Sequence, residues 1–146
     1  MNGDTGQSRT RRNNTLLGNA PEGASNQTMA MLLHICCAPC ATYPVVHLRQ
    51  QGYAVTGYWY NPNIHPWTEH EARRKSLVLY SEAVELPVVW EPGYGVVSFM
   101  RALSHHEAQG DRCAICYRMR LQQAAACARR LSIPHFTTTL LVTPYQ

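Results

Sequence analysis

Lysine is all but missing from this chain: 12 of its 13 basic residues are arginine, and Lys75 is the exception. Recognition of anions would therefore fall to guanidinium groups, whose planar fork matches phosphate oxygens. Acids are missing from one whole segment, since five arginines and no Asp or Glu lie between Arg112 and Arg130. Such a run is either a solvated helix face or a phosphate-binding one, and a net charge of +4 is too modest to establish nucleic-acid binding alone. No apolar run approaches the roughly 18 residues of a membrane-spanning helix. Residues 1–30, "MNGDTGQSRTRRNNTLLGNAPEGASNQTMA", lack the apolar core of a signal peptide and are rich in Asn, Gly, Ser and Thr. Their composition cannot offset the entropy of ordering, so a disordered tail is expected there, or a reading frame extended upstream of a start at Met29 or Met31. With neither span nor leader, a cytoplasmic protein is expected.

Residues 31–146 amount to one domain, and 45% hydrophobic content is enough for a core. "MLLHICC" (31–37) reads as a buried parallel strand, followed by a helical pattern over 41–51 with Pro44 in its first turn. "YAVTGYWY" (53–60), aromatic and β-branched, is a second strand, and the prolines of "NPNIHP" (61–66) then impose a shaped loop. A helix over 67–83, a strand over 86–90, the turn "EPGYG" and a weaker helix over 95–108 follow. From Ala114 to Leu131, the residues Ala114, Tyr117, Leu121, Ala124, Ala128 and Leu131 recur at helical spacing and predict one buried stripe. "HFTTTLL" (135–141) is a fourth strand. This alternation predicts an α/β fold, a parallel sheet with flanking helices. In such sheets sites form beyond the carboxyl ends of the strands, which would gather "CCAPC", "NPNIHP" and "EPGYG" on one edge. The chain ends at Gln146, soon after the fourth strand, and a C-terminally incomplete sheet is expected.

Six cysteines without a leader argue against a disulfide framework. Cys36, Cys37 and Cys40 form one group, Cys113 and Cys116 another, and Cys127 stands apart. Two short-spaced sets far apart in sequence point to a metal site assembled by the fold. Cys113 and Cys116 would share one side of a helix start capped by Asp111, where unpaired backbone N–H groups and Arg112 favour thiolates. Cys127 lies eleven residues beyond Cys116, roughly 16 Å along a helix, so it cannot share that metal and reads as a small buried hydrophobe. Cys36 and Cys37 can converge only where the backbone leaves the strand, and Ala38-Pro39 supplies that break. Five thiols are one more than a tetrahedral zinc uses, which favours an iron–sulfur cluster with a spare thiol or a second metal. A structural zinc held by four of them remains the alternative. A thiol–disulfide enzyme using Cys36 and Cys40 would leave Cys113 and Cys116 unexplained.

"LLHICCAPC", "YNPNIHP", "RCAICYRMRL" and "FTTTLLVTPY", in this order, closely resemble the QueH-type epoxyqueuosine reductases over residues 32–145. The resemblance implies a variant of the HUP-like (adenine nucleotide α-hydrolase-like) fold. Its ATP-using relatives cradle phosphates in a Gly- and Ser-rich loop after the first strand, whereas "CCAPC" has no glycine, so ATP use is not expected and a tRNA-thiolation enzyme is disfavoured. The implied activity is the last step of queuosine biosynthesis, reduction of epoxyqueuosine to queuosine at the tRNA wobble position. It is a two-electron deoxygenation without cobalamin, needing the tRNA substrate and an electron-donor protein or reductant. The implied cofactor is an iron–sulfur cluster of the 4Fe-4S type, with Cys36, Cys37, Cys113 and Cys116 as ligand candidates and Cys40 as a further anionic ligand. A second iron nearby is an option.

For the proton, Tyr43, His34 and His65 are the candidates, with Cys40 also placed among the reacting groups. His34 has a structural hydrogen-bonding role as its alternative. Trp67, with Tyr58 and Tyr60, could stack on a flipped base, core packing being the default for the two tyrosines. Arg112, Arg118 and Arg120 are candidates for tRNA phosphates. Two departures stand out: family members continue past "TTTLL", and "EPGYG" is less acidic than its counterpart. The alternative reading is therefore a truncated, non-catalytic zinc- or cluster-binding RNA-interaction protein.

Overall fold

The computed structural model describes residues 28–142 except residue 107. In chain order the elements are β1 (Met29–His34), α1 (Ala38–Gln50), β2 (Tyr53–Trp59), α2 (Trp67–Ala83), β3 (Val88–Trp90), α3 (Val96–Leu103), α4 (Gln109–Arg130) and β4 (His135–Thr138), followed by a 3-10 turn over Thr139–Val142. The strands make one parallel sheet in the order β3-β2-β1-β4. β1 is internal, with Leu33 in register with Gly57 of β2 on one side and Thr137 of β4 on the other.

Alternation along β1 decides the layering, because successive strand side chains face opposite sides of the sheet. Leu33 packs with Ala41 and Val45 of α1 and Leu77 of α2. Leu32, its neighbour, packs on the other face with Tyr58 and with Ala124, Cys127 and Ala128 of α4. Both leucines are fully buried. Gly57 is confined between these layers: a Cβ there would lie 3.0 Å from both Ile35 Cδ1 and Val88 Cγ2. The result is the expected parallel α/β sheet with flanking helices, an architecture consistent with a HUP-like fold. Among the described residues, no helix is long and apolar enough to cross a membrane.

Several boundaries differ from the sequence expectation, each for a local reason. Of the polar tail expected over 1–30, residues 1–27 lie outside the described residues, while Met29 and Ala30 belong to β1. β1 stops at His34 rather than Cys37. The N–H of Ile35 still donates to Tyr58 O at 2.9 Å, but the next, of Cys36, donates to the Thr139 hydroxyl. α1 begins at Ala38, with Pro39 in its first turn, so Pro44 lies inside the helix and supplies no N–H to the Cys40 carbonyl. α3 ends at Leu103, short of the expected Ala108.

α4 starts at Gln109 with Ala108 as N-cap, so Asp111 is not the cap; it sits in the first turn, where its charge suits the helix dipole. The buried stripe of α4 is Arg120, Ala124, Cys127 and Ala128, whereas Ala114 and Leu131, expected inside, are exposed. β4 is four residues long because the chain turns at Thr139.

Leu77 is a sensitive probe of the α1–α2 layer. Leu77→Ala should lower the stability measured by urea unfolding by about 2–5 kcal/mol, with the denaturant slope unchanged.

Candidate metal centre

The chain leaves the sheet at Ile35 and enters α1 at Ala38, and Cys36 and Cys37 occupy the gap, with Cys37 as the N-cap in extended conformation. Cys40 follows on the first turn of the helix. The three sulfurs lie within 4.8 Å of one another, Cys37 and Cys40 at 3.0 Å and Cys36 and Cys37 at 3.9 Å. Burial, reinforced by the Cys37 and Cys36 thiols beside it, pushes the Cys40 thiol well above its ordinary value. Without a cation the Cys40 thiol thus resists ionisation, and a thiophilic metal would displace its proton. The donor set fits a metal ion or cluster.

Thr139 holds the loop from outside. Its hydroxyl accepts from the Cys36 N–H at 3.1 Å and donates to Cys36 Sγ at 3.2 Å. His34 is braced just before the loop. Its Nε2–H donates to Tyr60 O at 3.1 Å, and its Nδ1 accepts from the Thr138 hydroxyl at 2.9 Å, which itself accepts from the Leu140 N–H. Burial takes the His34 pKa down to about 4, the Tyr60 carbonyl opposing that shift and Arg120 adding to it. Both ring nitrogens are engaged, so His34 is a neutral strut.

Cys113 and Cys116 lie one turn apart on α4 and line a cavity of about 710 Å³ with His65, Asn63, Arg112 and Phe99. A second cavity of about 190 Å³ is lined by Cys36 and Leu140, and the two share Asn63, Tyr117 and Arg120. Among the described residues the tight thiol group is Cys36, Cys37 and Cys40, and Cys113 and Cys116 face the adjoining cavity. Burial raises the Cys116 thiol, with Arg120 opposing that shift. Arg120 is itself 5% exposed, and among the described residues no carboxylate pairs with it. Its guanidinium stands 5.6 Å from the Tyr117 ring. A buried cation of this kind calls for a nearby anion.

The remaining candidates are scattered. Tyr43 is 68% exposed, stacked on His47, and lines neither cavity. Trp67 is half exposed and stacked on His70. Arg112 and Arg118 are exposed, whereas Arg120, expected to face RNA, is in the interior. Cys127 is a core residue, as expected. Sequence reasoning missed Thr139, Asn63 and Tyr94. Thr139 and Asn63 stand inside two quoted motifs, "FTTTLLVTPY" and "YNPNIHP", but nothing in their spacing marks them as partners of Cys36 or of the cavity.

A parallel α/β domain whose first post-strand loop carries thiols in place of phosphate-binding glycines is, by class, a candidate cysteine-ligated metalloprotein. The family model described as epoxyqueuosine reductase QueH matches residues 31–146, and the chain belongs to this family. Curated relatives named epoxyqueuosine reductase QueH include one from Dehalococcoides mccartyi, 38% identical over 80% of this chain and 63% of its own length. Others come from Histophilus somni, at 32% identity over 75% of this chain and 46% of its own length, and from Helicobacter pylori, at 33% over 78% and 32%. The chain thus spans less than two thirds of these relatives.

Thr139→Val should leave the buried Cys36 N–H unpaired and cost about 1–3 kcal/mol in urea unfolding. Thr139→Ser, which retains the hydroxyl, should restore most of that loss.

Proposed function

We propose that this chain is a cobalamin-independent reductase that converts epoxyqueuosine to queuosine at the tRNA wobble position, in the cytoplasm where that tRNA is found. The carrying observation is the convergence of Cys36, Cys37 and Cys40 beside a cavity system that Cys113 and Cys116 also line, in a chain of this family. Cys36, Cys37, Cys113 and Cys116 are the proposed holders of a 4Fe-4S cluster, with Cys40 available to that cluster or to a second iron. When bound, such a centre supplies electrons and an electrophile for the epoxide oxygen. Overall, two electrons from an external reductant and two protons release that oxygen as water and leave a carbon–carbon double bond.

The chain's own groups fit the rest of that chemistry. The 710 Å³ cavity is large enough to take a modified nucleoside out of the base stack. Its Phe99, Met100 and Leu103 wall would exclude water from the reacting bond. Arg120 supplies the positive charge that an anionic thiolate centre needs, and its burial keeps that charge unscreened. His65 is the candidate to carry the proton, at Nε2. His34 has both nitrogens engaged, and Tyr43 lies outside both cavities. The exposed Arg112, Arg118 and Trp67 are the proposed contacts for the RNA strand around the flipped base.

The test is direct. After anaerobic reconstitution with iron and sulfide, the wild-type chain should show visible cluster absorbance, which Cys113→Ala should lose and Cys127→Ala should keep. Mass spectrometry of tRNA nucleosides from a host deprived of its own reductase should show queuosine with the wild-type chain and accumulated epoxyqueuosine with Cys36→Ala. Stoichiometric zinc without iron in anaerobically purified protein would overturn the reductase reading in favour of a zinc-binding RNA module.

A further inference from the structure

The "EPGYG" turn packs against the "NPNIHP" loop closely enough to bring a tyrosine onto the cavity histidine. Gly95 adopts φ +69°, and a Cβ there would lie 3.0 Å from Pro62 Cβ, so the two loops touch through a side chain that only glycine omits. Tyr94, the preceding residue, reaches across: its hydroxyl lies 2.8 Å from Ile64 O and 2.9 Å from His65 Nδ1. Its ring is wedged among His70, Trp67 and His65, at centroid distances of 4.8, 5.2 and 5.8 Å. That packing leaves it little freedom to turn away.

A phenol has one proton, and here it has two neighbours. The carbonyl of Ile64 can only accept, so the Tyr94 O–H must donate to it; otherwise two lone-pair oxygens would face each other at 2.8 Å. The phenol oxygen is then an acceptor toward His65, whose Nδ1 must carry a hydrogen. In the neutral ring this leaves Nε2 without one. His65 Nε2 is buried and has no hydrogen-bond partner among the described residues, and the residue lines the 710 Å³ cavity beside Cys113 and Cys116. An orphaned acceptor at a cavity wall is a costly feature unless an occupant satisfies it.

We propose that Tyr94 is a positioning residue that locks His65 in its Nδ1–H form, so that Nε2 presents a lone pair to an O–H or N–H donor on the cavity's occupant. This rests on the reductase reading only for the identity of that occupant, a hydroxyl- and amine-bearing modified nucleoside. The lock itself is a property of three residues, Ile64, His65 and Tyr94. It also explains how one imidazole could first bind the nucleoside through Nε2 and then carry a proton at that same atom, since Nδ1 is never released to compete.

Two-bond 1H–15N spectra of the 15N-histidine-labelled full chain test the lock, with His65 assigned by its absence in His65→Gln. The wild type should show protonated Nδ1 and bare Nε2. Tyr94→Phe should move His65 toward the Nε2–H form, keep the wild-type iron content, and lower kcat/KM by about tenfold or more, the range typical of losing such an orienting partner. An Nε2–H ring in the wild type overturns the proposal without recourse to any variant, as does an unchanged tautomer in Tyr94→Phe. Adding an anticodon stem–loop that carries queuosine should shift the Nε2 resonance. A stem–loop that binds without moving Nε2 overturns the acceptor role. One that does not bind overturns the reductase reading instead, and the tautomer still decides the lock.

Discussion

β1 is paired on both edges and covered on both faces, so its backbone has no freedom until the sheet ends. The point of release is set by one hydroxyl: Thr139 takes the Cys36 N–H that would otherwise seek a strand partner, and returns a hydrogen bond to the same residue's sulfur. From there the chain has only Cys37 before α1 begins at Ala38. That short gap is what lets adjacent cysteines, which would diverge in a strand, turn their sulfurs together with that of Cys40. A loop of this kind in an ordinary nucleotide-binding domain would present backbone N–H groups to phosphate. Here it presents thiols, one of them held by a hydroxyl that donates to its sulfur.

The second consequence of that geometry is electrostatic. Arg120 is carried into the interior by α4 and lines both cavities, without a carboxylate partner among the described residues. It opposes the rise of the Cys116 thiol and, with burial, helps keep His34 neutral. The same cation therefore favours anionic sulfur and uncharged imidazole within one small volume. Such a bias suits a site whose thiols could hold a metal ion or cluster, and it separates this arginine from the exposed Arg112 and Arg118 on the same helix.

Much of the framework was legible in the chain. The strands around Leu32–Leu33 and Tyr58–Trp59, the α2 span and the parallel alternation followed from periodicity, because burial on both faces leaves a continuous apolar run that few other structures tolerate. Boundaries were less legible. Pro44 suggested a first turn, yet the helix starts earlier, because Pro39 serves that role and Pro44 lies inside the helix, where it offers the Cys40 carbonyl no N–H. Cys127 was expected in the core and lies there, but the α4 stripe was read from Ala114, Tyr117, Leu121, Ala124, Ala128 and Leu131, whereas the packed face includes Arg120, a residue whose burial depends on what the opposite layer offers it.

By itself the sequence determined the chemistry available: three thiols at a strand end, two more at helical spacing, arginine as nearly the sole cation, and no glycine to bind phosphate. These follow from residue identity and local spacing, which the covalent chain carries unaltered into the fold. Only the tertiary structure decided which groups meet. The contacts of Thr139 with Cys36 and of Tyr94 with His65 span 103 and 29 residues. Contacts at such separation arise from sheet register and from loop packing as close as Gly95 against Pro62, neither of which leaves a periodic trace in the sequence.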